Sequence, residues 1–189
     1  PNARWRLTAT PATVAAVWKP DDRWLAQLVI EAEEGREAGE TADLKALEDG
    51  ADTTEAELTV GRRLGSKSFA YATYQLEIEN GGKGQVWFAG VGSQLMRGPS
   101  WVLTGVLDVS WGDDEHMATE FGLTADQAAR LNLSAYDVGG GVKSSTAGLR
   151  FEWRPSPQLI LESSIEAEHY FDSAADSPLL RELGASRTF

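Results

Sequence analysis

The chain has no cysteine, which removes disulfides, thiolate metal sites and cysteine nucleophiles together. It has two histidines, His116 and His169, so any imidazole chemistry rests on those two positions. Lys and Arg number 17 against 29 Asp and Glu, a formal charge of -12, and no basic patch is visible in the sequence. Affinity for phosphate backbones comes from clustered cations, so nucleic acid is excluded as a partner. No apolar run approaches the roughly 20 residues of a membrane-crossing helix; runs such as "WLAQLVI" are far shorter. Barrels survive that exclusion, because a spanning strand needs only about 9–11 alternating residues. The chain begins at Pro1 with no basic and apolar leader, so any export signal is expected to have been removed already.

What is present is alternation. With 189 residues and 42% hydrophobic content, the chain is long enough for one domain. In "QLILESSIEAEHYF", Leu159, Leu161, Ile165, Ala167 and Phe171 fall on one side, while Glu162, Ser164, Glu166 and Glu168 fall on the other. The same period of two runs through "TTEAELTVGRRL", "FAYATYQLEIE" and "SWVLTGVLDVSW", and it identifies strands. Further strands are "RWLAQLVIEAE", "QVWFAGVGSQLM", "STAGLRFEWR", and "RWRLTAT" continuing to "VAAVW". Pro11 is read as a bulge within that last strand, since it cannot donate to a ladder. Eight long strands result.

The connections alternate in length. "KPDD", "GSK", "RGPS" and the "PSP" of Pro155 to Pro157 are tight turns. Between them lie longer polar segments at Gly35–Gly50, Asn80–Gly84, Gly112–Val142 and Asp172–Gly184. Short turns at one end, long loops at the other and an apolar outward face describe a transmembrane β-barrel. Trp5, Trp18, Trp24, Trp101, Trp111 and Trp153 near strand ends, and Trp87 at a strand start, suit the lipid headgroup level. The alternative is a soluble lipocalin-like barrel with its apolar face inside. The longest loop, 112–142, carries one helix, "LTADQAARLNL", with a capping box from Thr124 and Gln127.

The candidate site is the barrel interior. Its polar face collects Glu55, Glu57, Glu77, Glu79, Arg150, Glu152, Glu162, Glu166 and Glu168, with Arg150 opposite Glu162 if the Pro155–Pro157 turn is tight. These charges either hydrate and fill the lumen or line a conduction path. "GDDEHM" offers oxygen ligands to a divalent cation but lacks calcium-loop spacing, and reads as a solvated acidic loop. "EAEEGREAGE" reads in the same way. Ser163 and His169 share a face and invite a hydrolase reading, yet no third orienting group accompanies them. "VGGGVK" enters a strand rather than a helix, so it lacks the helix terminus of a phosphate site. No cofactor, metal or enzymatic activity is expected.

Two segments, "SWGDDEHMATEFGLTADQAARLNLSAYDVGGGVK" and "DSAADSPLLRELGASR", resemble the long loop and last external loop of the MipA/OmpV family of Gram-negative outer-membrane proteins. Weaker similarity runs through "ADLKALEDGADTTEAELTVGRRLG". The resemblance implies an antiparallel outer-membrane β-barrel in contact with membrane lipid and lipopolysaccharide. It also implies a scaffold role joining a murein lytic transglycosylase to a murein synthase, with no catalytic residues. A small porin and, more remotely, a lipid hydrolase are the alternatives. Family members run further at both ends, so residues 1–189 are expected to be one barrel domain lacking upstream strands. "GASRTF" is then the start of a ninth strand cut short, and the intact barrel has about 10–12 strands.

Overall fold

The computed structural model describes residues 4–33, 53–79 and 84–183. Among these residues nine antiparallel strands form one sheet in sequential order. They are β1 Arg4–Ala9, β2 Thr13–Lys19, β3 Trp24–Glu33, β4 Thr53–Arg63, β5 Ser68–Glu79, β6 Gln85–Arg97, β7 Trp101–Gly112, β8 Gly141–Ser156 and β9 Leu159–Tyr170. The sheet is all next-neighbour and barrel-like, and among the described residues it stays open between β1 and β9. No described helix is long and apolar enough to cross a membrane.

The first expected strand is two strands. Pro11 is not a bulge: it sits in a reverse turn where the Thr10 amide donates to the Thr13 carbonyl and the Thr13 amide donates to Thr10 Oγ1. Proline's fixed φ suits the second position of such a turn, and β1 then pairs with β2 from Ala9↔Val14 to Arg4↔Lys19. This hairpin places one short turn at the end where the longer loops emerge. The expected ninth strand at "GASRTF" and the segments Gly35–Gly50 and "EAEEGREAGE" lie outside the described residues, apart from Glu31–Glu33 at the close of β3.

A second difference concerns the last hairpin. β8 runs through Pro155 to Ser156, the turn falls at Pro157–Gln158, and the register shifts between Trp153 and Ser156. A proline that cannot donate breaks the ladder there. Arg150 therefore faces Ser164, and Glu152 faces Glu162. The expected Arg150–Glu162 pair is not formed.

Burial inverts the usual order. Among the described residues seven apolar ones are buried, and of these Val86 alone lies in a strand. The others form a cap at the long-loop end, built from α1 Asp114–Phe121, α2 Ala125–Leu131 and α3 Asp172–Ala175. Met117, Phe121, Val138 and Ala174 make its core, with Tyr136, Tyr170 and Leu180 packed against it. The strand leucines are outside: Leu159, Leu161 and Ile165 are 47%, 46% and 71% exposed. From Trp5 on β1 to His169 on β9, the outward face carries, among the residues whose side chains are described, no carboxylate and one Lys or Arg, Arg62, stacked over Trp24 at 5.0 Å. A water-soluble barrel would hide this face.

Candidate functional site: a polar interior with two different mouths

The inward face is stitched by side chains. Thr59 bonds Thr73 across β4 and β5 at 2.8 Å and donates to Glu57 at 3.0 Å, while Gln75 donates to Glu55. On the far side Ser110 and Ser144, both buried, bond at 2.7 Å. Ser144 and Tyr170 both donate to Glu168. Two donors thus converge on one carboxylate, and a charged acceptor strengthens both bonds.

Between these belts lies a longer reach. Tyr71 on β5 crosses β6 above Gly90 and donates to Asp108 on β7 at 2.9 Å. A Cβ at position 90 would stand 2.5 Å from the Tyr71 ring, and one at Gly92 would stand 2.2 Å from Phe69. The two glycines make room for two aromatic side chains from the next strand. Beside them a cavity of about 230 Å³ is lined by Tyr71, Asp108, Arg150 and Glu166.

The nine candidate residues divide. Glu55, Glu57 and Glu77 stand on β4 and β5, and Glu79 occupies the position opposite Thr54. Arg150, Glu152, Glu162, Glu166 and Glu168 stand on β8 and β9. Two pairs, Glu55↔Glu77 and Glu152↔Glu162, set like charges directly opposite one another, an unfavourable arrangement unless offset. Arg154 offsets the second, contacting Glu152 at 2.6 Å. The candidates thus form two groups rather than one cluster. Tyr71, Asp108, Ser110, Ser144 and Tyr170, absent from the candidate set, connect the strands between them. Their signal was present as glycines two apart on β6 facing aromatics two apart on β5, which becomes visible only when the register is known.

The long-loop mouth is roofed by the cap. "GDDEHM" is not an open acidic loop: Asp113 caps α1 by accepting from the His116 amide at 2.8 Å, and Asp114 accepts from the Gly140 amide at 2.6 Å. Acidic side chains favour a helix N-terminus through its partial positive charge. Gly84 has φ of +69° and lies against the His116 amide, where a Cβ would be 2.2 Å away. The predicted capping box of Thr124 and Gln127 is formed on α2. Ser177 Oγ donates to the Phe121 carbonyl and Tyr136 Oη to the Ser173 carbonyl, each at 2.7 Å, tying the last loop to the longest one. Burial, with Asp176 adding to it, holds the Tyr136 phenol above its usual pKa.

Ser163 and His169 stand six residues apart on β9. At about 3.3 Å per residue that separation is roughly 20 Å, beyond any hydrogen bond. His169 instead packs edge-on against Phe171, with ring centroids 5.0 Å apart.

Aromatic rings border the outward face at both ends. Trp5 stacks on Trp18, and Trp101 pairs with Trp153 at the tight-turn end, while Trp87 pairs with Trp111 at the other. Trp101 to Trp111 is ten steps of one strand, about 34 Å, which a tilt near 40° projects to about 26 Å, the height of a lipid-facing band. No curated protein and no solved structure matches the chain. The family model described as MltA-interacting protein MipA matches residues 2–189, and the chain belongs to that family.

Proposed function

We propose that this protein is a non-enzymatic β-barrel of the Gram-negative outer membrane that holds murein-remodelling enzymes, among them a lytic transglycosylase, at its periplasmic end. The single observation that carries the location is the outward face, apolar and free of carboxylates among the described residues. The partner rests on the family's description as MltA-interacting. Tight turns are the periplasmic ends of such barrels, so the enzymes approach the turns at Pro20–Arg23, Leu64–Lys67, Gly98–Ser100 and Pro157–Gln158.

The test is direct binding between the full-length protein in detergent and a purified murein lytic transglycosylase, with a soluble transglycosylase of another family as control. Saturable binding, weakened by exchanging the tight-turn residues and unaffected by exchanging residues of the cap, supports the scaffold. Absence of binding removes it. A solute channel is the competing reading, and steady ion current in planar bilayers that changes with Arg150→Gln selects it.

A further inference from the structure

We propose that the tight-turn mouth contains a binding site for a soluble oligoanion carrying carboxylate or phosphate groups. A cavity of about 840 Å³ opens there, within the size range of small-ligand sites. Arg4, Lys19, Arg63 and Arg150 line it from four strands spread around the sheet. Arg23 and Lys67 add two cations from the turns at its rim. Asp21 and Asp22 share the lining, Asp21 engaged in its own turn by accepting from the Arg23 and Trp24 amides at 2.7 and 2.9 Å, and Asp108 and Glu166 share with Arg150 the smaller cavity beside Tyr71.

None of these cations lies within ion-pair distance of a carboxylate among the described residues. Arg4 and Lys19 are directly opposed across β1 and β2, a like-charge pair that costs stability when nothing lies between them. In a chain of net charge -12, converging unpaired cations at one mouth are not accounted for by bulk composition. Concave walls focus their field and concentrate counter-ions. Gln27, Thr59 and Gln94 supply further polar groups to the same wall.

The lumenal position favours a soluble anion over a lipid headgroup. Arg4 and Lys19, opposed across β1 and β2, and Arg63 and Arg150 belong to the polar strand face, while Arg62, stacked on Trp24, completes the rim of the same cavity. The proposal stands on the cavity alone and does not depend on the enzyme partner.

The experiment uses the full-length protein in zwitterionic nanodiscs, titrated with tripolyphosphate and with citrate by calorimetry. Expected is saturable binding that weakens about tenfold between about 0.05 M and about 0.3 M salt. The double variant Arg4→Gln/Lys19→Gln loses about tenfold or more in affinity, Arg4→Lys/Lys19→Arg keeps it, and Arg181→Gln, at the long-loop end, is unchanged. Arg150→Gln serves as the second lumenal variant should the double variant fail to fold. Lack of saturation by either probe, or equal affinity in the glutamine variants, overturns the site. Displacement of the probes by phosphatidylglycerol nanodiscs assigns the cations to lipid and overturns it as well. Because no murein enzyme is present, failure here leaves the scaffold reading separately testable.

Discussion

The hydroxyl of Tyr71 reaches two strands away because position 90 has no side chain. Tyr71→Phe removes one hydrogen bond and leaves Asp108 without its donor, a loss of about 1–3 kcal/mol for a confined carboxylate. Gly90→Val displaces the ring itself and costs about as much again through overpacking. Urea unfolding of the two variants in lipid vesicles distinguishes them: the double variant is no worse than Gly90→Val if the ring and the bond are one device. At the other end, Tyr136 donates to the Ser173 carbonyl from a site that favours its neutral form. Its contribution to the cap is whole below the unfolded phenol pKa near 10 and is lost as pH rises through the higher folded value. Hydrogen exchange in 113–140 is therefore expected to quicken above about pH 10 in the parent, and to show no such step in Tyr136→Phe.

Among elements, the strands were legible where one face is apolar and the other charged, because a period of two survives any context. The β1–β2 hairpin was not, since Thr-Pro-Ala-Thr carries neither the glycine nor the Asn-Gly pair by which short hairpins usually show themselves. The Arg150 register was missed for a related reason: Pro155 belongs to β8, not to the turn, and a bulge beside it moves every later partner. Capping chemistry revealed α2, whereas α1 was hidden because an acidic run reads equally well as solvated coil until a partner such as Gly140 is seen. The cap makes its own prediction. Met117 is fully buried among Phe121, Val138 and Ala174, so Met117→Ala costs about 2–5 kcal/mol. Limited proteolysis should cut 113–140 in that variant while the wall stays protected; cleavage of the strands as well would mean that cap and wall unfold together.

For the molecule as a whole, the outward face decides what surrounds it. Leu107 lies six residues after Trp101 and four before Trp111, pointing out, and its neighbour Asp108 points in. Leu107→Arg is expected to cost about 2–4 kcal/mol in a bilayer, as at the midplane of other barrels. A cation at the same exposed position of a protein surrounded by water would cost almost nothing, so unfolding in vesicles separates the two environments. Which face meets lipid was legible from the placement of glutamates; which polar groups join inside was not, because that depends on register, bulges and two well-placed glycines. Apolar burial, confined almost wholly to the cap, also divides the protein by temperature. Water released from apolar surface gives unfolding a positive heat capacity, and that driving force fades on cooling. Near freezing the roof at the long-loop end should loosen first, whereas a wall held by backbone ladders and surrounded by hydrocarbon has little such term to lose.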